Sequence, residues 1–315
     1  MTADLTNPIF QDEAKAREYL ESVRWANGAY CPHCGEAEKV KRLAGASQRP
    51  GLFQCNSCRK NFTVTVGTLY ERSHIPLHKW LLATHLLTSS KKGISAHQLH
   101  RMLGITYKSA WFMCHRIREA MKDDTAPPMG GGGGIIEMDE TYMGPPNYYL
   151  DTRTNKWKKK SGTRDKYKVI TLVERGGKAR SIKVDEVTAK SIAEVLAQHA
   201  KSDSILMTDD ATYYRGAGKR FDMHGKVNHK RGEYARGPIT TNTVEGFFSI
   251  FKRGMKGIYQ HCGEQHLARY LAEFDFRYNH RTALGVTDKE RAEAAIKGIT
   301  GKRLTYRRTD SRAAA

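Results

Sequence analysis

The chain has 315 residues, a formal net charge of +20 and a sequence pI near 9.7. This basic excess favours polyanionic partners, and nucleic acid above all. The sequence contains no run of about 18 apolar residues and no signal-peptide pattern, which argues against a membrane protein. We therefore expect a cytosolic protein with room for two or three domains.

The first feature in chain order is a pair of CxxC motifs. Cys31 and Cys34 are separated by twenty residues from Cys55 and Cys58. This spacing is typical of a zinc ribbon, in which two knuckles supply four thiolates to one tetrahedral Zn²⁺. Because four thiolates leave no open coordination position, the ion is predicted to be structural. His33, inside the first knuckle, is not expected to be a ligand.

The next segment has the pattern of a helix-turn-helix. Ser95 and Thr106 are expected helix N-caps, and Gly104 is the turn between the two helices. A predicted buried stripe on the second helix consists of Ala110, Cys114, Ile117 and Met121. The residues left over predict an exposed basic and aromatic face for phosphates and base edges of DNA. These candidate DNA-binding residues are Tyr107, Lys108, Trp111, His115 and Arg118. The alternative is a plain helical packing unit with a solvated basic face.

A composition break follows at residues 123–134, which contain two prolines and five consecutive glycines. This composition predicts a flexible tether and the main domain boundary. Beyond it the pattern predicts three strands, a helix, a further strand and a later helix, which is an α/β arrangement. The first strand is expected to deliver Asp139 near its end, and the fourth ends at Asp209. Glu245 lies on the later helix.

These three acids predict a metal site, because three carboxylates brought together can hold two Mg²⁺ ions that act on a phosphorus centre. At helical spacing Glu245 and Lys252 lie two turns apart on one face, so that Lys252 is placed for a DNA phosphate.

Alternatives remain open at this site. Asn242 and Glu245 also fit a capping box, in which the glutamate only satisfies backbone amides at the helix start. Asp210 and Glu137 are alternative ligands, because strand registers slip in sequence-based assignment. The run Lys156 to Lys160 is either a solvated loop or a phosphate clamp, and no role follows for His224 or His229.

Several of these motifs together resemble a known family. They are the two CxxC pairs, the DET of the first strand, the TDD of the fourth strand, and the blocks NTVEGFFSIFKRGMKGIYQH and HLARYLAEFDFRYNHR. They resemble bacterial insertion-sequence transposases of the DDE type with an N-terminal zinc ribbon, the ISXO-like group, over nearly the whole chain. Related sequences often carry His where this chain has Thr240, and some use Asn as the third catalytic residue. This keeps Asn242 beside Glu245 as an alternative.

The resemblance implies an RNase H-like mixed-sheet catalytic domain that cleaves and joins DNA strands. Asp139, Asp209 and Glu245 match the family's acids, with two Mg²⁺ or Mn²⁺ ions as cofactors, and Lys252 matches its downstream basic residue. The implied partners are double-stranded DNA of the element ends and of the target, bound by a nucleoid-associated homo-oligomer in the cytoplasm. Two rival functions remain: a DNA-binding regulator with an inactive catalytic domain, and an RNase H-like nuclease that does not join strands.

The predicted organisation has five segments. In chain order they are a zinc ribbon (1–70), a helix-turn-helix region (71–122), a Pro/Gly linker (123–134), the catalytic domain (135–290) and a basic C-terminal tail (291–315).

Overall fold

The structure is a computed structural model that describes residues 5–45, 47–144, 148–159, 162–163 and 165–305. Its described residues belong to two compact units, one formed by residues up to 122 together with those from 280 onward, the other by residues 123–279. Lys160 and the last ten residues of the predicted C-terminal tail, 306–315, lie outside the described residues. No helix in the described part is both long enough and apolar enough to cross a membrane.

The α-helices of the described residues are α1 (Glu13–Arg24), α2 (Leu77–Ser89), α3 (Ala96–Leu103), α4 (Tyr107–Ala120), α5 (Ala189–His199), α6 (Tyr214–Gly218), α7 (Asn242–Gly254), α8 (Leu267–Asn279) and α9 (Asp288–Lys297). The strands are β1 (Val40–Arg42), β2 (Phe53–Cys55), β3 (Asn61–Phe62), β4 (Ile135–Met143), β5 (Tyr148–Asp151), β6 (Lys156–Lys159), β7 (Tyr167–Glu174), β8 (Ala179–Val184), β9 (Ile205–Asp209), β10 (Met223–Val227), β11 (Ala235–Arg236) and β12 (Ile239–Thr240).

The first unit begins with α1 and a small antiparallel sheet in the order β1-β2-β3. Phe53 and Phe62 stack with ring centroids 5.7 Å apart, and Trp25 meets both rings edge-on. These three aromatic side chains are buried and form most of the apolar core of a very small sheet. A sheet of this size needs a further stabilising element, such as a metal ion, to be stable.

The helix-turn-helix is present with the predicted caps. The Ser95 hydroxyl accepts the Gln98 amide at the start of α3, and the Thr106 hydroxyl accepts the Ser109 amide at the start of α4. Gly104 ends α3 in the left-handed region, with φ of 60°. The predicted stripe on α4 is buried. The pattern of turn and caps was therefore sufficient to locate both helices.

Helix α9 packs in the first unit, against α1, α2 and α4. Its Ala292, Ala295 and Ile296 are buried, and the Arg291 guanidinium donates to the carbonyl oxygens of His280 and Thr88. The sequence pattern alone predicts that residues up to 290 belong to the catalytic domain and that residues from 291 form a tail. The small alanine-rich apolar face of α9 gave too weak a signal to reveal this packing.

The second unit is built on a five-stranded mixed sheet in the order β10-β9-β4-β7-β8. Strand β4 is antiparallel to β7, and β7 is antiparallel to β8, with Gly176 and Gly177 in the turn between the last two strands. On its other side β4 is parallel to β9, and β9 is parallel to β10. The predicted order of strands and helices is confirmed. The structure adds β10 to this sheet, and it adds α6 and the strand pairs β5–β6 and β11–β12 outside it.

Alternating side chains of this sheet face two separate cores. Ile136, Met138 and Leu206 point to the side on which α5 packs. Val169 and Val173 point to the opposite side, where they meet the aromatic residues of α7 and α8. A sheet with helices on both faces has the layered arrangement of an α/β domain, as predicted.

The predicted flexible tether is wrong for its glycine-rich part. The amides of Gly131 and Gly132 donate to the side chains of Ser204 and Asp203, each at 2.8 Å, and Met129 is buried. Four consecutive glycines, Gly130 to Gly133, have φ between 59° and 100°, a region that residues with a Cβ rarely adopt. Glycine is therefore required here for a specific backbone conformation. Composition alone does not distinguish glycines that serve this purpose from glycines in a flexible linker.

Candidate active site

The four predicted zinc ligands converge in the first unit. The Sγ atoms of Cys31 and Cys58 are 3.6 Å apart, those of Cys34 and Cys55 are 3.7 Å apart, and all four lie within 4.8 Å of one another. Tetrahedral coordination with Zn–S bonds of about 2.3 Å places sulfur atoms roughly 3.8 Å apart. The geometry and the all-thiolate donor set therefore fit a structural Zn²⁺ ion.

Cys55→Ser is expected to release this zinc and unfold the ribbon, because the β1-β2-β3 core is too small to fold without the metal. The second unit should remain folded, since it has its own two cores. Metal analysis should give about one zinc per wild-type chain and none in the variant. Ser57→Ala, two residues further on, is the control and should retain zinc. A freshly purified wild-type protein without zinc would contradict the assignment.

In the second unit, Asp139 and Asp209 lie on neighbouring parallel strands. The last paired residues of β4 and β9 are Glu137 and Met207, and each aspartate is two residues beyond that pair. Because side chains alternate along a strand, both carboxylates are on the face that carries Glu137. The prediction that Asp139 lies near the end of its strand is wrong, since β4 continues to Met143. It is the parallel partner β9 that ends, at Asp209.

Glu245 lies in the first turn of α7 with 42% of its side chain exposed. The N-cap is Thr241, and α7 has no side-chain cap hydrogen bond, so the predicted capping box begun by Asn242 is wrong. The Thr241 hydroxyl instead donates to Glu245 Oε1 at 3.0 Å, and His229 Nε2 lies 3.3 Å from the same oxygen. Two side chains therefore hold Glu245 in place, and Glu245 does not cap the start of α7.

Glu137, which sequence reasoning considered only as an alternative ligand, anchors the start of α7. Its Oε2 atom accepts the amides of Thr243 at 2.7 Å and Val244 at 3.0 Å, and its Oε1 atom accepts Arg175 Nε at 2.6 Å. A buried carboxylate from the central strand therefore satisfies backbone amides that the helix itself leaves unpaired. These bonds fix the helix of Glu245 to the strand of Asp139.

Electrostatic interactions link the three predicted acids. Burial raises the pKa of Asp139 to about 7, and the nearby carboxylates of Glu140, Asp209 and Glu245 act in the same direction. Burial also raises the pKa of Asp209. Mutually repelling carboxylates in a partly buried position are typical of functional sites that bind cations. Among the described residues only the four cysteines bring three or more candidate ligand atoms within 4.8 Å of one another, so the acids are spread more widely.

A fourth carboxylate, Glu140, points to the opposite face of β4. The hydroxyl groups of Tyr213 and Tyr214 donate to its two oxygens, the latter at 2.7 Å. These bonds occupy Glu140 and leave it as a fixed negative charge behind Asp139. The sequence offered no signal for this contact, because the tyrosines lie more than 70 residues further along the chain.

Two family comparisons match the two parts of the chain. Residues 132–279 match the ISXO2-like transposase domain, and residues 11–61 match the transposase zinc-ribbon domain. The chain therefore carries an ISXO2-like transposase domain and a transposase zinc ribbon. The mixed sheet is accordingly the RNase H-like sheet of a DDE transposase domain. A transposase cleaves DNA during transposition, so the alternatives of a regulator and a plain nuclease are not favoured.

The chain also matches a relative from a transposable element and one solved structure. The transposase is 28% identical over 277 residues to an "Uncharacterized protein in transposable element ISH50" of Halobacterium salinarum, and the match covers 85% of this chain and 91% of the relative. A solved structure, the Drosophila P element transposase strand transfer complex, matches with 9% identity and a TM-score of 0.26. That match covers 63% of this chain and 55% of the other.

The remaining candidates of the catalytic unit occupy different environments. Lys252 is exposed on α7, with its Nζ 5.7 Å from the centre of the Phe248 ring. The Asp210 carboxylate accepts the Asn228 side-chain amide at 2.6 Å, which ties it to the loop after β10. Asn242 is exposed. His224, whose pKa is lowered to about 4 by burial and by Lys226, lies 2.8 Å from the Thr208 hydroxyl.

The predicted DNA-binding face of α4 is only partly correct. Tyr107 and Lys108 are exposed and Trp111 is half-buried, but His115 and Arg118 are buried, with exposed fractions of 1% and 2%. The prediction that the last two face outward is wrong, because α4 is contacted by α2, α3 and α9 and is therefore covered on more than one side. Arg118→Ala would consequently act on packing, and the exposed candidates are Tyr107 and Lys108 in the first turn of α4.

The raised pKa of Asp139 predicts a pH-dependent stability of the metal-free transposase. Its ordinary value is 3.8 and its folded value is about 7, so the folded state holds a proton that the unfolded state has lost. Stability should fall as the pH rises between these values. Asp139→Asn removes this cost, and at about pH 8 in Mg²⁺-free buffer the variant should be more stable, since one pKa unit corresponds to about 1.4 kcal/mol. Urea unfolding at two pH values measures this; equal pH dependence in both proteins would contradict it.

Proposed function

We propose that this transposase binds the terminal repeats of its insertion sequence and catalyses Mg²⁺-dependent strand cleavage and strand transfer. Asp139, Asp209 and Glu245 are the proposed ligands of two Mg²⁺ or Mn²⁺ ions. Lys252 is proposed to bind a DNA phosphate beside them. Of the segments predicted from sequence, the zinc ribbon (1–70) and the helix-turn-helix region (71–122) are proposed to select the element ends for the catalytic domain.

The observation that carries the proposal is the register of β4 and β9. Two aspartates stand at equivalent positions on adjacent parallel strands, and the helix of Glu245 is tied to one of these strands through Glu137. Oxygen ligands of this kind suit hard divalent cations. Divalent ions bound there would activate the attacking oxygen and stabilise the leaving oxygen at phosphorus.

The side chains around the acids have distinct roles in this proposal. Glu137 and Arg175 hold the start of α7, so that Glu245 approaches the aspartates without an ordering cost when DNA binds. The Tyr213 and Tyr214 hydroxyls keep the charge of Glu140 fixed behind the site. Burial raises the pKa of Asp139, the neighbouring carboxylates raise it further, and a bound cation would neutralise their negative charge.

Recognition of the element ends is proposed to use the first turn of α4. Tyr107 and Lys108 are exposed there, at the end of the helix that enters a DNA groove in helix-turn-helix proteins. Trp111, His115 and Arg118 would then support this turn from within the unit. A homo-oligomer that pairs two ends, acting on the nucleoid in the cytoplasm, completes the proposal.

The test is a strand-transfer reaction with labelled duplexes that carry the element's own terminal repeats, a target plasmid and Mg²⁺. We expect cleavage at the element boundary and covalent joining to the target. Duplexes with scrambled repeats are the control and should not react. End binding without cleavage would indicate a regulator, and cleavage without joining would indicate a nuclease; either result would overturn the proposal.

A further inference from the structure

A small hairpin interrupts the catalytic unit between β4 and β7. Strands β5 and β6 pair with each other as a separate two-stranded sheet. Their register joins Leu150 to Trp157 and Tyr149 to Lys158. A hairpin that adds nothing to the main sheet has no evident part in forming the catalytic core. An isolated two-stranded hairpin is also marginally stable in water, so its apolar side chains are not explained by an internal core.

One face of this hairpin is strongly apolar and open. Residues directly opposite in an antiparallel pair lie on the same face, and so do residues two apart along a strand. Tyr148, Leu150 and Trp157 therefore share a face, with exposed fractions of 56%, 42% and 70%. Of the large hydrophobic residues described as exposed, Trp157 is the most exposed. A cluster of this kind marks an interaction surface.

The charges of the hairpin specify the partner. Between residues 148 and 159 the sequence YYLDTRTNKWKK contains four basic residues and one acid, a net charge of +3 (4 minus 1). The acid, Asp151, is bridged by Lys158. Lys156 and Arg153 are exposed. Aromatic side chains set among cations are the pattern of single-strand binding, in which rings stack on bases and cations contact phosphates.

The hairpin lies close in the chain to Asp139, one of the three proposed metal ligands. It follows β4, the strand of Asp139, and β4 extends four residues beyond that aspartate. At about 3.4 Å per residue, the end of β4 at Met143 is roughly 14 Å from Asp139. DNA rises about 3.4 Å per nucleotide, so this distance corresponds to roughly four nucleotides from a phosphate held at the acids.

We propose that the β5–β6 hairpin binds DNA next to the cleaved end, with Trp157 stacked on an unpaired base and Arg153, in the exposed turn between the two strands, on a neighbouring phosphate. The inference rests on the proposed function. It assigns to the hairpin the role of holding separated DNA strands beside the cleavage site. Stacking holds bases that have left the duplex, so the hairpin favours DNA that is already frayed. A second copy of this chain is the competing occupant of an apolar face, and the experiment below distinguishes the two.

The experiment compares Trp157→Ala with wild type on two element-end duplexes, one fully paired and one with four mismatched pairs at the cleavage site. Wild type should bind the mismatched duplex more tightly, and Trp157→Ala should lose about tenfold in affinity for it, with little change for the paired duplex. Trp157→Phe should retain most of the affinity because it keeps a stacking ring. Thr152→Ala, at the exposed turn of the hairpin, is the matched control and should behave as wild type.

A second readout locates the contact directly. A 5-iodouracil base placed in the mismatched segment should cross-link on irradiation to the peptide that contains Trp157. Absence of this cross-link, or equal binding of both duplexes by Trp157→Ala and wild type, would overturn the inference even if strand transfer proceeds. A change in oligomeric state of Trp157→Ala without DNA, with unchanged DNA affinity, would assign the surface to a second copy. Failure of the proposed function would give a different result, because the wild-type protein itself would then show no strand transfer.

Discussion

Glu245→Gln should abolish strand cleavage and strand transfer while leaving the fold and end binding intact. Glutamine keeps the size of the side chain and can still accept the Thr241 hydroxyl, which lies 3.0 Å from Glu245 Oε1. A neutral amide is nevertheless a poor ligand for Mg²⁺. Loss of an outer partner of a metal ligand already costs about 10–100-fold, so loss of the ligand itself should exceed about 100-fold. Asp139→Asn and Asp209→Asn should behave in the same way.

Asn242 provides the matched comparison, because it lies three residues away on the same helix and was the alternative third residue. It is exposed and is not the N-cap, so Asn242→Ala should be close to wild type in both stability and joining. Labelled-end assays measure joining, and circular dichroism measures the fold. Near-normal joining by Glu245→Gln, together with an inactive and well-folded Asn242→Ala, would show that Asn242 is the third catalytic residue.

The second large effect is expected from Glu137→Gln, although this residue does not contact substrate in our account. Thr243, Val244 and Arg175 all donate hydrogen bonds to the carboxylate. The side-chain NH₂ group of a glutamine is itself a donor, so it would face at least one of these donors without an acceptor. Breaking a buried ion pair costs about 3–5 kcal/mol. The start of α7 should loosen and Glu245 should shift, and a displacement of about 1 Å can cost roughly 100-fold in rate.

Hydrogen exchange distinguishes this positioning role from general destabilisation. In Glu137→Gln, amide exchange should accelerate at residues 241–247 while β7 and β8 stay protected. Glu174→Gln is the control, because it changes the same residue type at the end of the adjacent strand β7. Normal strand transfer by Glu137→Gln, or accelerated exchange across the entire sheet, would contradict the positioning role.

Local spacing and alternation predicted much of this molecule. The CxxC spacing identified the cysteines that converge, because two knuckles impose their own geometry. Ser95, Gly104 and Thr106 located the helix-turn-helix through backbone chemistry that acts within a few residues. The alternation of strand and helix patterns gave the order of the catalytic unit.

What the sequence did not predict depends on partners distant in the chain. Glu137 is 106 residues from Thr243, and nothing near it indicates that it caps a helix. The single apolar stripe of α4 predicts one buried face, which leaves His115 and Arg118 exposed. In the structure several helices contact α4, so these two residues are buried as well. The glycines before Ile135 have the composition of a tether, because flexibility and positive φ favour the same residue type.

The most direct test of the central claim is to count the divalent ions that the three carboxylates bind. Mn²⁺ titration followed by electron paramagnetic resonance, with zinc-loaded protein on cleaved element-end DNA, reports bound ions without requiring turnover. Our account predicts about two Mn²⁺ ions per catalytic domain in wild type. It predicts fewer in Asp139→Asn, Asp209→Asn and Glu245→Gln, and an unchanged number in Asn242→Ala. The same Mn²⁺ count in wild type and in Glu245→Gln would contradict it.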